Sequence, residues 1–236
     1  MAMTVELPED KTKRFLYLFH RSKTTYEETA RRLAAEGWDE PWQVVISTIM
    51  SAQNRDESTI QTAEALFEAY PSIQALSQAK YDDVLNIFSS INYNKSKADY
   101  VITTADSLVS EFDSDVPNNR DDLLSLKGVG RKTANLVLST VFEQPAICVD
   151  THVHRISNVF DLVNTDKPNG TEKRLEDVAP EQYWRHINRY FVLWGQDIPG
   201  DDQDRLLDGL EQIRSDWKQH ITTTMDVETA HNHVTE

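Results

Sequence analysis

The chain has 236 residues, and its 39 acidic residues outnumber its 24 lysines and arginines, which gives a formal net charge of −15. No apolar run is long enough to span a bilayer and no apolar signal core opens the sequence, so we expect a cytoplasmic protein rather than a membrane or exported one. The single cysteine, Cys148, excludes an internal disulfide and any metal site built from four cysteines.

The hydrophobic spacing predicts helices along nearly the whole chain, without the strand–helix rhythm of a parallel sheet, and therefore an all-α protein. In chain order, we predict helices at residues 25–36, 42–50, 56–68, 72–79, 81–88, 95–111, 120–126, 131–141, 151–160, 171–178, 181–193 and 201–220. A loop is predicted at 117–119, a turn at 167–170 and disorder at 222–236.

The acidic charge is unevenly distributed along the chain. Residues 197–236 hold ten acids and three bases, a net charge of −7, whereas residues 84–98 and 123–142 contain no acid at all. Because these acid-free windows carry lysines and arginines, we expect them to form one face that attracts phosphate. The alternative is an acidic surface whose gaps arise by chance.

The segment LKGVG, at residues 126–130, lies between two predicted helices. Gly128 and Gly130 permit positive φ and leave the backbone uncovered, and Val129 is expected to face inward. Such a helix–hairpin–helix turns backbone N–H groups outward beside the positive end of the next helix, where they bind a phosphate oxygen. An ordinary glycine helix stop is the alternative. The basic residues that flank the glycines are Lys127 and Arg131.

Lys132 follows the second glycine by two residues and falls in the first turn of the next predicted helix. A lysine attacks carbon only as the neutral amine, which burial and the positive end of a helix both favour. That amine can attack C1′ of a deoxyribose, displace the base and form a Schiff base. Loss of the C2′ proton then expels the 3′ phosphate. The alternative is an ordinary surface charge.

Asp150 follows an apolar run and precedes a predicted helix. It is either a helix N-cap alone or also a carboxylate that stabilises positive charge on the sugar or accepts the proton of the lysine. His152 either supports Asp150 or is a structural histidine. His152 and His154 point to opposite helix faces and cannot hold a metal together, so we predict no metal site.

A base must leave the stack before this chemistry takes place, and the vacated space has to be filled. Gln53 lies in a loop after a buried helix and is the candidate to enter the duplex and pair with the orphaned base. The alternative is an ordinary polar loop residue. Tyr93 either stacks on a base or packs within the protein.

Five motifs together resemble the helix–hairpin–helix DNA glycosylases, most closely the endonuclease III branch. The resemblance covers about residues 25–197 and implies a two-lobed all-α fold with a DNA-binding cleft between the lobes. It implies a six-helix lobe at 37–143, a second lobe from 1–36 plus 144–221, and a tail at 222–236. The motifs are SAQNRD (51–56), NYNKSKA (92–98), VP (116–117), LKGVGRKTAN (126–135) and VDTHVHR (149–155).

The resemblance also implies a base excision repair glycosylase with AP lyase activity, which removes oxidised pyrimidines from double-stranded DNA. It implies that Lys132 is the Schiff-base nucleophile, that Asp150 is its catalytic partner and that Gln53 fills the helix. We expect DNA contacts from the hairpin residues Lys127, Gly128, Val129, Gly130 and Arg131, together with Gln53 and His152, and we expect a monomer.

Two features depart from the family pattern. Lys127 stands where the family usually has proline. More importantly, the four cysteines that hold a [4Fe–4S] cluster in most relatives are absent after residue 196, so we predict no cofactor. A last helix, with Leu206, Leu207 and Leu210 at helical spacing, is expected to take the place of the cluster.

Two other functions remain open. One is a mismatch-specific thymine or uracil glycosylase on the same scaffold, and the other is a DNA-binding relative without catalysis. The acidic excess also suggests a salt-rich cytoplasm, with an ordinary acidic C-terminal segment as the alternative.

Overall fold

The structure is a computed structural model that describes residues 7–215, so the predicted disorder at 222–236 lies outside the described residues. No strand occurs between residues 7 and 215, and the all-α prediction is confirmed. None of the described helices is both long and apolar enough to cross a bilayer. The helices are α1 Lys11–Tyr26, α2 Pro41–Ser51, α3 Asp56–Ala69, α4 Ile73–Ser77, α5 Tyr81–Ile87, α6 Asn94–Glu111, α7 Arg120–Ser125, α8 Arg131–Thr140, α9 Thr151–Val159, α10 Pro168–Val178, α11 Trp184–Asp197 and α12 at 203–215.

The predicted helix at 25–36 is wrong. Instead α1 ends at Tyr26 and the chain turns through residues 27–40. Polar side chains capture the amides that a helix would use, because the N–H of Leu33 donates to the Glu36 carboxylate and the N–H of Ala34 donates to Asp56, both at 2.9 Å. These side-chain acceptors, one local and one 22 residues away, compete with helix formation.

The predicted turn at 167–170 is also wrong, since α10 begins at Pro168. Proline lacks the N–H that the first helical residue leaves unpaired and has a preset φ, so Pro168 starts the helix rather than preventing it.

The chain divides into two compact units, which we call the hairpin unit and the terminal unit. The hairpin unit comprises Ala30–Cys148 and Glu181–Arg185. The terminal unit comprises Met1–Thr29, Val149–Pro180 and His186–Glu236. The hairpin unit thus begins at Ala30, whereas the sequence predicted that this lobe begins at residue 37.

The buried helix α2 forms the centre of the hairpin unit and packs against α3, α6 and α8. Its side chains Val45, Ile46 and Met50 are fully buried, which explains why the β-branched run forms a helix here despite its strand propensity. The edge of Trp42 meets the ring of Phe67 at 5.0 Å. This core fixes both ends of α2, and therefore the loop that follows it.

An aromatic core holds the terminal unit together. Phe19 meets Tyr190 edge to face with 5.5 Å between ring centres, and Phe160 lies 5.3 Å from Trp194. Trp194 Nε1 donates to the carbonyl of Leu206 at 3.0 Å, which attaches α12 to α11. The leucines of α12 that are buried in this unit are Leu206, Leu207 and Leu210.

Candidate active site and DNA-contact surface

The hairpin, residues 126–130, connects α7 to α8 and is held by α6. Gly128 has a φ of +79°, and a Cβ there would lie 2.8 Å from the ring of Tyr100. Thr104 Oγ1 donates to the carbonyl of Lys127 at 2.6 Å, and the N–H of Val129 donates to Leu126 at 3.1 Å. Glycine is therefore required at 128, both for its backbone conformation and for the close approach of α6.

Gly130 differs from Gly128, because its φ is −99° and a Cβ there would meet nothing within 4 Å. Gly130 thus does not use the positive φ that a glycine permits. Gly130 is the N-cap of α8, and its N–H, like those of Gly128 and Lys132, has no acceptor among the described residues. These three N–H groups, beside the positive end of α8, make a place for an anion.

The side chains of the hairpin face in two directions. Val129 is 7% exposed and belongs to the core with Leu126, so only its backbone is available to a ligand. Lys127 and Arg131 are exposed. The Lys127 ammonium also lies 5.8 Å from the centre of the Tyr100 ring, which is a cation–π contact.

Lys132 is the second residue of α8, in the helical turn that the sequence predicted. It is partly buried and lies two residues after Gly130, whose N–H is open. Within the described part of the chain, its Nζ makes no hydrogen bond and no ion pair, so the amine is not occupied by a protein acceptor.

Asp150 is the N-cap of α9. Its Oδ1 accepts the N–H groups of His152 and Val153, both at 2.9 Å. Its Oδ2 accepts no hydrogen bond from residues 7–215. The capping alternative is therefore present in the structure, but it uses one carboxylate oxygen and leaves the second open.

The side chain of His152 packs against Gly195. A Cβ at Gly195 would lie 2.6 Å from His152 Nδ1, so the absence of a side chain on α11 is what admits the ring. His154 Nδ1 instead lies 2.6 Å from Thr171 Oγ1. No group of three or more metal-ligating side chains occurs among the residues that the structure describes.

The Gln53 loop, residues 52–54, follows α2 and carries an exposed Gln53 side chain. The backbone of Gln53 is left-handed, with a φ of 55°, which is unfavourable for a residue with a side chain. The neighbouring Tyr93 is also left-handed, and since it is 62% exposed it does not pack into the core.

Lys97 is a residue whose role the sequence reasoning missed. It is 3% exposed, and burial lowers the pKa of its ammonium to about 8. Its Nζ donates to the carbonyl of Ala52 at 2.7 Å, within the Gln53 loop. The sequence does contain a signal, because Lys97 lies four residues before the buried Val101 and eight before the buried Ala105, on the apolar side of α6.

The predicted site residues fall into both units. Lys132, the hairpin and the Gln53 loop belong to the hairpin unit, whereas Asp150 and His152 belong to the terminal unit. Asp150 directly follows the buried apolar residues 146–149, which include Cys148 with an exposure of 1%.

Residues 46–181 match a family model described as HhH-GPD superfamily base excision DNA repair protein. The endonuclease III of Thermotoga maritima is 41% identical over 159 residues, which cover 67% of this chain and 75% of that protein. The endonuclease III of Haemophilus influenzae is 33% identical over 159 residues, again 67% of this chain and 75% of the relative.

Solved structures resemble the fold as well. A trapped endonuclease III–DNA covalent intermediate, an estranged-adenine complex, has a TM-score of 0.72 and 27% identity, covering 78% of this chain and 86% of that chain. A thermostable thymine-DNA glycosylase has a TM-score of 0.69 and 18% identity, covering 82% of this chain and 89% of that one, so it shares the fold.

Proposed function

Because the chain belongs to the HhH-GPD superfamily of base excision DNA repair proteins, we propose that Lys132 and Asp150 carry out its reaction. The chain is a base excision repair enzyme that binds DNA, a DNA glycosylase that also acts as an AP lyase. The finer proposal is that its substrates are duplexes with oxidised pyrimidines, together with abasic sites.

Lys132 is the nucleophile in this proposal. Its neutral Nζ attacks C1′, the bond from C1′ to the base breaks, and the base leaves with the bonding electrons and acquires a proton. The nitrogen, now bonded to C1′, loses a proton, the C1′–O4′ bond breaks and O4′ takes up a proton, so that a Schiff base joins the nitrogen to C1′ of the ring-opened sugar. Loss of the C2′ proton drives β-elimination, in which the 3′ phosphate leaves with the electrons of the C3′–O bond, and water finally releases the lysine. The observation that carries the proposal is the unoccupied Nζ of Lys132, two residues beyond the hairpin whose N–H groups are open.

Asp150 is the catalytic carboxylate. Its Oδ1 is fixed by two backbone N–H groups, which orients the open Oδ2. That oxygen stabilises the positive charge of the sugar as the base leaves, or accepts a proton from the lysine. His152 supports Asp150 through its backbone N–H rather than through its ring.

Two regions of the hairpin unit contact DNA in this proposal, the hairpin and the Gln53 loop. The N–H groups at Gly128 and Gly130 bind a backbone phosphate without reading the sequence. Gln53 enters the duplex and faces the base that has lost its partner. The side chains that add charge near the phosphates are Lys127 and Arg131, and Val129 contributes only its backbone.

Borohydride trapping tests this function. We expect a covalent adduct with duplexes that contain thymine glycol or an abasic site, and none with Lys132→Gln. Lys95→Gln removes an exposed lysine outside the proposed site and is expected to keep the adduct. Duplexes with G·T and with 8-oxoguanine separate the mismatch glycosylase from the proposed activity. If no duplex gives an adduct, the result would favour the alternative of a DNA-binding relative without catalysis.

We propose that the enzyme has no [4Fe–4S] cluster. The residues do not fit such a group, because it needs four thiolates and the chain has one cysteine, Cys148, which is buried in the hairpin unit. The helix α12 supplies the packing of the terminal unit in its place, through Leu206, Leu207 and Leu210. Iron analysis of purified protein and the visible absorption spectrum test this, and a band from an iron–sulfur cluster would contradict it.

We also propose that the enzyme is a monomer adapted to a salt-rich cytoplasm. Its acidic surface keeps it hydrated at high salt, while salt weakens phosphate contacts. Activity that is highest in dilute buffer and collapses above about 1 M salt would contradict the salt adaptation, and size-exclusion chromatography with light scattering tests the monomer.

A further inference from the structure

Lys97 occupies an unfavourable position for a lysine. It is buried in the hairpin unit, where its charged form loses hydration. It also lies in the first turn of α6, where the positive end of the helix opposes a cation. A lysine in such a place is stabilised only if its ammonium finds a strong acceptor.

The acceptor is the carbonyl of the residue that caps the C-terminus of α2. Ala52 is the C-cap of α2, and its carbonyl receives Lys97 Nζ at 2.7 Å, 45 residues away in sequence. This carbonyl lies at the C-terminal, negative end of α2, and because the donor is an ammonium the hydrogen bond is charge-assisted. Lys97 therefore joins the start of α6 to the end of α2 at the residue before Gln53.

A second residue of the same segment holds the rest of the Gln53 loop. Asn92 Nδ2 donates to the carbonyl of Gln53, and the N–H of Asn92 donates to Asn54 Oδ1, both at 2.8 Å. Asn54 Nδ2 in turn donates to the carbonyl of Met50 at 2.9 Å. Each of the three loop residues is thus hydrogen-bonded to Asn92 or Lys97, although the Gln53 side chain itself is left exposed.

We propose that Lys97 is a positioning residue for duplex opening: its ammonium group holds the Ala52 carbonyl so that the left-handed backbone presents the Gln53 side chain to the space left by an extruded nucleotide. This inference rests on the role of Gln53 in the proposed function. Lys97 does not touch the reacting atoms and acts only through the Gln53 loop.

The test uses a duplex with a tetrahydrofuran abasic analogue, which cannot form a Schiff base, so that binding is measured without chemistry. 2-Aminopurine opposite the analogue reports by its fluorescence whether the orphaned base is engaged. We expect Gln53→Ala and Lys97→Met each to weaken binding about tenfold, which corresponds to the loss of about one hydrogen bond, and to abolish most of the fluorescence change. The double variant is expected to bind the duplex no more weakly than Gln53→Ala alone, because both substitutions act through the Gln53 side chain.

Lys80→Met is the matched control, since it removes the same charge from an exposed position of the hairpin unit that lies outside the acid-free windows. It is expected to keep the fluorescence change. Circular dichroism checks that each variant is folded, and if Lys97→Met does not fold, Lys97→Gln and Asn92→Ala are expected to give the same loss.

Three outcomes overturn the inference. A fluorescence change that survives in the folded Lys97 variants shows that Lys97 does not position Gln53. Additive losses in the double variant show that Lys97 acts elsewhere. If Gln53→Ala leaves the fluorescence change intact, Gln53 does not fill the space left by the extruded nucleotide, and this inference fails. Borohydride trapping at Lys132 would still report separately on the proposed function.

Discussion

The hairpin and the Gln53 loop both require a left-handed backbone residue, and they stabilise it in two different ways. Both contain a residue with positive φ, Gly128 in the hairpin and Gln53 in the loop. The hairpin offers only N–H groups to its ligand, so a glycine without a side chain is sufficient. The loop has to present a side chain, and glycine is therefore excluded at the residue that carries it.

The difference shows where each region obtains its rigidity. In the hairpin, the ring of Tyr100 and the hydroxyl of Thr104 from α6 support a conformation that glycine adopts freely. In the loop, a left-handed glutamine costs about 1–2 kcal/mol, and side-chain hydrogen bonds from Asn92 and Lys97 offset that cost. A surface that binds any phosphate is built from backbone, whereas a surface that inserts a side chain needs other side chains to hold it.

The largest effect on stability is expected for Gly128→Ala. A methyl group there has to push away the Tyr100 ring and sit at a φ of +79°. We expect the free energy of unfolding to fall by about 2–4 kcal/mol, from the left-handed backbone and the overpacking together. Urea unfolding measures this, and a loss under about 0.5 kcal/mol would show that the hairpin does not depend on glycine at this residue.

An intermediate effect of opposite sign is expected for Gln53→Gly. Glycine adopts the left-handed conformation without strain, so we expect the free energy of unfolding to rise by up to about 1 kcal/mol, while binding to an abasic duplex weakens. Gln53→Ala is the control, since it removes the same side chain but keeps the strain. Equal unfolding free energies for the two variants would mean that the loop stores no strain.

The smallest effect on stability is expected for Gly130→Ala. Its methyl group enters open space at an extended φ, so the free energy of unfolding should change by less than about 0.5 kcal/mol. Because the methyl group occupies the space where a phosphate would approach, DNA affinity should still fall, to the same extent for every sequence. Unchanged affinity in a fluorescence-anisotropy titration would place the phosphate elsewhere.

The sequence predicted those features that depend on local chemistry. Two glycines between helical patterns predicted the hairpin, and the position of Lys132 after Gly130 predicted its helical turn. The residue before α9 was recognised as a cap because aspartate accepts amide hydrogen bonds in that place.

The features that the sequence did not predict depend on distant partners. The stretch after Tyr26 has helical spacing, yet Ala34 bonds to Asp56 and the segment turns instead. The positioning contact of Lys97 joins residues 45 positions apart, and no local pattern connects them. Propensity gives way wherever such long-range bonds compete with it.

The two carboxylate oxygens of Asp150, at the start of α9, have different roles: Oδ1 accepts the two backbone N–H groups of the cap, and Oδ2 is left open. Alanine scanning would therefore confuse two kinds of damage at Asp150, because it unravels the first helical turn while it deletes the charge. Asparagine keeps a cap-competent oxygen and removes only the negative charge. Asp150→Asn, and not Asp150→Ala, therefore distinguishes the loss of the negative charge from damage to the first turn of α9.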